Sequence, residues 1–111
     1  MTDEQGYNSW TNYETWVANL HIDNDQQSQE YWMGAAREII DSTAGDPTLT
    51  KRQRSEYRLS DRMKDEHEAN APGVDGVYQD LLNAALSDVH WDQIARHFIN
   101  AVWTTDDEDT E

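Results

Sequence analysis

The sequence predicts an all-α domain in which four or five short helices pack around a small aromatic-rich core. Apolar residues recur at helical spacing in several separate stretches, and no stretch alternates apolar and polar residues as a half-buried strand would. Clusters of Asp, Asn, Gly and Pro separate these stretches. Only 36% of the 111 residues are apolar, but five Trp and five Tyr supply large rings. Each such ring buries on the order of 150–250 Å², so we expect aromatic volume to replace aliphatic residues in the core.

A chain of 111 residues fits a single domain. We expect a flexible N-terminal lead at residues 1–9, because this segment is polar and precedes the first apolar cluster. The single helical domain then covers residues 10–103. Residues 104–111 contain five carboxylates and no aromatic residue, which predicts an acidic disordered tail.

The first helix combines a start signal with an apolar face. Thr11 is a good N-cap, and Glu14 three residues later completes a capping box. We expect the helix to end near Ile22. Its inward residues follow at i, i+3, i+4 and i+7: Tyr13, Trp16, Val17 and Leu20.

A polar strip of Asn12, Thr15 and Asn19 lies beside this apolar face. In one interpretation the strip and Trp10 form an interaction surface for a partner protein. In the other, the two asparagines hydrogen-bond the loop at residues 23–25, and Trp10 completes the core. We favour the second interpretation.

Four more helices follow, at about residues 26–41, 49–71, 76–87 and 91–103, with Asp75 as the predicted cap of the fourth. The second helix has six inward candidates: Tyr31, Trp32, Ala35, Ala36, Ile39 and Ile40. The third has Leu49, Leu59 and Met63, with Tyr57 and His67 as further candidates. The fourth has Val77, Tyr78, Leu81, Leu82, Ala85 and Leu86. The fifth has Trp91, Ile94, Ala95, Phe98, Ile99 and Val102.

Three arginines on the third helix form one stripe, because Arg54, Arg58 and Arg62 lie at i, i+4 and i+8. The stripe either pairs with carboxylates on other helices or forms a recognition face for a partner or an anion. We favour internal pairing.

Residues 7–16 (Tyr-Asn-Ser-Trp-Thr-Asn-Tyr-Glu-Thr-Trp) carry a specific motif. It resembles the opening of a group of small uncharacterised proteins from phages, plasmids, bacteria and archaea. Residues 59–68, 80–86 and 89–95 are similar to that group too, so the resemblance covers about residues 7–100. It implies a shared fold and mobile-element ancestry, and it implies no activity. His90 departs from the pattern, because a better capping residue such as Asn is expected there.

The net charge is −15, and direct binding of nucleic acid is not expected, because phosphates and carboxylates repel each other. The chain has 14 Asp against 9 Glu, and only two Lys. This composition resembles that of proteins from salt-accumulating organisms and predicts a haloadapted surface. The alternative is an ordinary acidic protein from a moderate organism.

The residue types that commonly act in catalysis or metal binding form no recognised motif in this sequence. Cys is absent, the four histidines match no metal-binding spacing, and no glycine-rich phosphate loop or nucleophile motif is present. We therefore expect no enzyme, no cofactor and no metal. Neither a signal peptide nor a membrane-spanning run is found, which predicts a cytoplasmic protein, monomeric or homodimeric, with no membrane partner.

The function that this sequence favours is a non-catalytic protein-interaction or accessory module. The alternative is a nucleic-acid mimic, in which carboxylates imitate phosphate spacing and inhibit a DNA-binding defence protein.

Overall fold

The computed structural model describes residues 10–107, and these residues form five α-helices and no strand. The predicted all-α class is therefore confirmed, and the bounds of α2 are those predicted. The predicted lead and residues 108–111 lie outside the described residues. None of the helices within residues 10–107 is long and apolar enough to cross a membrane. The helices are α1 (Tyr13–Asn24), α2 (Gln26–Asp41), α3 (Lys51–Asn70), α4 (Gly76–Asp88) and α5 (Trp91–Val102), followed by a 3-10 helix (Thr105–Asp107).

The core lies between α2, α3 and α5, which supply all but one of its buried hydrophobic residues. Only three of these residues are aromatic: Trp32, Trp91 and Phe98. The others are Ile, Leu, Met and Ala, so the prediction of an aromatic-rich core is not supported. The tyrosines explain much of the difference, since a phenol hydroxyl needs a polar partner. Tyr31, for example, is exposed and donates its hydroxyl to Glu66 at 2.9 Å.

Side chains cap the starts of three helices, and the caps of α1 and α3 both accept from the N–H three residues on. Thr50 and Gln53 form a complete capping box at the start of α3. At α1 the cap is Asn12, whose Oδ1 accepts from the Thr15 N–H at 2.9 Å, so the predicted Thr11–Glu14 capping box is wrong. Both Thr and Asn cap well, and the choice is made by tertiary contact. The Thr11 N–H instead donates to a side chain of α5 at 3.0 Å.

The first residues of the predicted tail, 104–107, are fastened to the helical domain. Asp107 is buried, and the Arg37 guanidinium donates to both of its carboxylate oxygens, at 2.6 and 2.9 Å. This hydrogen bonding by Arg37 holds the pKa of the Asp107 carboxyl well below its usual range. Arg37 also donates to the Val102 carbonyl at the end of α5, at 3.0 Å. Residues 104–107 therefore belong to the folded unit.

Candidate interaction surface

The buried face of α1 is largely polar. Thr15, Asn19 and Ile22 are its buried residues, and they follow one another at i, i+4 and i+7. The four residues predicted to point inward are exposed or half-buried: Tyr13, Trp16, Val17 and Leu20. The predicted orientation of α1 is therefore wrong, and the strip that lay beside the apolar face is the strip that the fold covers.

Hydrogen bonds to the connection between α4 and α5 explain this orientation. Asn12 caps the start of α1 with its oxygen, and its Nδ2 donates to the Asp88 carbonyl at the end of α4, at 2.7 Å. The buried Thr15 hydroxyl accepts from the His90 N–H at 2.8 Å. His90 itself begins α5 without a side-chain cap. One asparagine and one threonine thus satisfy main-chain groups that neighbouring helix ends leave unpaired.

Asn19 and Trp10 both lie near His97 of α5. Asn19 Nδ2 donates to Asp23 Oδ2 at 3.0 Å, and His97 Nε2 lies 3.4 Å from the same oxygen. The Trp10 ring meets the His97 ring edge-on, with centroids 5.7 Å apart, and packs against the core. Asn19 therefore bonds one of the residues predicted for it, whereas Asn12 bonds the α4–α5 connection instead.

The arginine stripe of α3 faces α2 and the segment that follows it. Arg54 and Arg58 donate to oxygens of residues 42–44, where the last carbonyls of α2 attract positive charge. Arg62 lies 3.5 Å from Glu38 of α2. Within the described residues, only one of the three arginines pairs with a carboxylate on another helix. All seven predicted interaction residues thus contact other parts of the chain, in two separate groups.

A surface that the sequence analysis missed lies on α4. None of its thirteen residues, all of them described, is buried. Val77, Tyr78 and Leu81 are 62%, 70% and 61% exposed, so the prediction that they point into the core is wrong. We call these three residues the α4 face. Leu82 and Leu86 are half-buried and lie further round the helix, beyond Tyr78, and the main neighbour of α4 is α1.

One signal in the sequence pointed to this exposure. Successive residues of a helix are about 100° apart when viewed down its axis. In this view the apolar residues of α4 cover more than half of the circumference, with Ala84 at one edge of the arc and Leu86 at the other. A helix with so wide an apolar arc needs covers on two sides, and α1 provides one. Among residues 10–107, six of the eight exposed large hydrophobic residues lie on α1, on α4 or just before α4: Tyr13, Leu20, Val74, Val77, Tyr78 and Leu81.

Open clefts flank α4 on both sides. One cleft, of about 370 Å³, lies between α4 and the end of α3 and is lined by Glu68 and Pro72. The other, also of about 370 Å³, is lined by residues of α1 and by Trp91. Leu86 lines both clefts, which shows how little of α4 rests on the body of the protein.

The histidine of α3, His67, is packed between aromatic rings. His67 stacks between Trp32 and Trp91, with ring centroids 5.8 and 4.6 Å away, and its Nδ1 lies 2.8 Å from the Met63 carbonyl. In the described part of the chain, no group of three or more His, Cys, Asp or Glu side chains could hold a metal ion.

Comparison with curated proteins and with solved structures found no match. A family of unknown function, DUF7249, matches residues 3–102, a range that contains all five helices. The chain therefore belongs to the DUF7249 family.

Proposed function

We propose that this protein is a non-catalytic protein-interaction module and that it binds its partner with the α4 face. The observation that carries this proposal is the exposure of Val77, Tyr78 and Leu81 on a helix without a single buried residue. Contiguous apolar surface on a soluble protein marks an interaction site more often than scattered single residues do. Full burial of a side chain of this size contributes about 1.5–3 kcal/mol, so a partner that covers the α4 face gains substantial free energy.

The support for a role without catalysis or cofactor is the fate of the polar residues. Asn12 and Thr15 are engaged with main-chain groups, and His67 is stacked between two rings. Each of these contacts stabilises the fold, so the role of the side chain within the folded chain is accounted for. A small accessory module also fits the mobile-element ancestry that the opening motif implies.

A photo-crosslinking experiment tests the proposal. A photoreactive phenylalanine analogue replaces Tyr78 of the α4 face or, as a control, Tyr57 of α3, which is also exposed. In cells of the source organism, we expect one defined protein to crosslink from position 78 and not from position 57. The purified partner should then lose affinity for the Val77→Ser, Leu81→Ser double variant. Equal crosslinking from both positions, or none from position 78, would contradict the proposal.

A second candidate function, nucleic-acid mimicry, is favoured by the distribution of charge. At least seven of the eight Lys and Arg side chains make contacts within the chain, which leaves a large excess of carboxylates for the surface. A mimic would bind a DNA-binding defence protein through charge, so its affinity should fall steeply in molar salt and survive the Val77→Ser, Leu81→Ser change. Binding through the α4 face should show the opposite behaviour, since apolar contact withstands salt.

We further propose that the cytoplasm in which this protein works is rich in salt. A net charge of −15 on 111 residues repels itself, and dissolved ions screen that repulsion. The melting temperature should therefore rise when KCl increases from low to molar concentration. A melting temperature that is independent of salt would contradict haloadaptation.

A further inference from the structure

We propose that the partner of the α4 face is an amphipathic helix with basic residues beside its apolar stripe, and not a second copy of this chain. This inference rests on the proposed function and adds the chemistry of the partner. Two observations carry it: the shape of the α4 face and the charge around it.

The shape of the α4 face suits a helix. Val77 and Leu81 lie one turn apart on the same side of α4, and Tyr78 stands beside them. Rows of side chains at this spacing form the ridges that pack into the grooves of a second helix. The thirteen residues of α4 extend about 20 Å, enough to contact roughly four turns of a partner. Helix packing of this kind is an established mode of peptide recognition, in which anchors at i, i+3, i+4 and i+7 enter an apolar surface.

The charge around the α4 face is of one sign. Residues 65–95 contain no Lys or Arg and seven Asp or Glu. Asp75, Asp80 and Asp88 belong to α4 or to its cap, and all three are exposed. Within residues 10–107 their carboxylates form no ion pair, whereas carboxylates on α2 and α3 pair with nearby arginines. A partner with Lys or Arg beside its apolar stripe would supply the missing positive charge.

The same charge disfavours a second copy as the partner. Two chains packed face to face through α4 would bring Asp80 and Asp88 of one near those of the other, and each chain carries a net charge of −15. Like charges at this range repel at the ionic strength of the binding test, about 0.15 M, where the Debye length is about 8 Å. An acidic or uncharged helix would gain the apolar contact without the electrostatic attraction.

The test uses the full chain and a designed probe. The probe is an 18-residue fluorescent peptide, helical and amphipathic, with Leu on one face and Lys on the other; its matched control carries Glu in place of Lys. Fluorescence anisotropy in 150 mM KCl should show that the Lys peptide binds at least about tenfold more tightly than the Glu peptide, a difference of about 1.4 kcal/mol.

Two pairs of variants locate the binding. The Val77→Ser, Leu81→Ser variant should weaken the Lys peptide about tenfold, whereas Tyr57→Ser should change its affinity less than about twofold. The Asp80→Asn, Asp88→Asn variant should weaken it severalfold. Its control is Asp61→Asn, Asp65→Asn, which makes the same change in net charge on exposed residues of α3. Exposed positions are used throughout, and circular dichroism verifies that each variant is folded.

The outcomes separate the partner chemistry from the proposed function. Equal binding of the Lys and Glu peptides, or equal effects of the two Asp→Asn variants, overturns the inference, while loss of binding in Val77→Ser, Leu81→Ser still supports the α4 face. A dimer in sedimentation that this serine variant abolishes also overturns it, because a second copy then covers α4. If the serine variant neither weakens the peptide nor abolishes the crosslink from position 78, both proposals fail.

Discussion

Helices α4 and α5 are neighbours in sequence and similar in length, yet the fold treats their apolar residues in opposite ways. Helix α5 buries five residues: Trp91, Ile94, Ala95, Phe98 and Ile99. Helix α4 buries none, although its thirteen residues include three Leu, a Val and a Tyr. The difference lies in their neighbours, because α5 packs between α2 and α3 while α4 lies against α1. An apolar face thus shows that a helix needs a cover, and topology decides whether the same chain provides it.

The three core helices (α2, α3 and α5) and the α1 helix are also held in place by different interactions. The α2–α3–α5 layer is packed by apolar contact, whereas α1 adds only Ile22 to that core and is fastened to the α4–α5 connection by the hydrogen bonds of Asn12 and Thr15. Apolar packing resists opening over a wide area, while a few hydrogen bonds fix orientation and contribute about 1 kcal/mol each. We expect substitutions to be felt very differently in the two layers.

The largest effect should come from truncating a core residue of α5. Ile94 is fully buried, so Ile94→Ala should lower the free energy of unfolding by about 2–5 kcal/mol, through lost burial and the cavity left behind. Leu81→Ala on α4 should change it by less than about 0.5 kcal/mol, because the side chain is already in water. Urea denaturation in molar KCl measures both. A cost for Leu81→Ala that approached that of Ile94→Ala would show that α4 is covered in solution by something within the protein.

A smaller effect is expected at the hydrogen bonds that fasten α1. Thr15→Val keeps the shape of the side chain but removes the hydroxyl that accepts from the His90 N–H. The hydrogen bond is partly buried, so leaving this N–H without its partner should cost about 1–2 kcal/mol, less than for a fully buried group, and urea denaturation resolves that loss. Thr11→Val is the matched control, since Thr11 is exposed and contributes its main-chain N–H, which valine retains. If both variants lost equal stability, the general effect of valine near a helix start would explain the result.

The sequence was sufficient for the helices themselves and insufficient for their surroundings. The bounds of α2 and the buried face of α5 follow from spacing and turn residues, which are local. The orientation of α1 depends on which main-chain groups Thr15 and Asn19 meet, and those groups lie far away in the sequence. Likewise the exposure of the α4 face depends on the absence of a second neighbour. The pairing of Asp107 with Arg37 spans 70 residues, and nothing in an acidic segment distinguishes the one carboxylate that finds an arginine.

That pairing sets the third prediction. Asp107→Asn should lower stability by about 1–2 kcal/mol at neutral pH, less than a fully buried ion pair would, because Arg37 is about one third exposed. Asp106→Asn, at an exposed neighbour, is the control. Arg37 joins α2 to the end of α5 and to Asp107, so the variant should loosen the attachment of residues 104–107 to α2. Urea denaturation of the two variants at pH 7 measures it.

The pH dependence of this effect has a defined sign. Arg37 depresses the pKa of Asp107 in the folded protein, so the folded state favours the charged carboxylate more than the unfolded chain does. The stabilisation is therefore complete above the unfolded pKa of about 3.9, and it is lost as pH falls below that value towards the folded pKa. The difference in stability between the wild type and Asp107→Asn should narrow as pH falls from about 5 to about 2, the range in which carboxylates protonate. A stability difference between the two proteins that stays constant over this pH range would show that the Arg37–Asp107 ion pair does not cause it.

The smallest effect on global stability should arise at the start of α4, and it isolates the comparison between the two helices. Gly76 has a φ of +63°, a left-handed conformation that L side chains adopt at a cost of roughly 1 kcal/mol. A Cβ there would meet no atom within 4 Å, so Gly76→Ala strains only the backbone. The same is true of the space at Gly73, where φ is not positive, which makes Gly73→Ala the control.

Because α4 has no buried residue, it should open locally without unfolding the core. We expect Gly76→Ala to speed hydrogen exchange of the α4 amides about fivefold while the α5 amides and the urea midpoint stay unchanged. If the α5 amides accelerated equally, α4 and α5 would unfold as one unit, and the α4 face would be part of the cooperative fold.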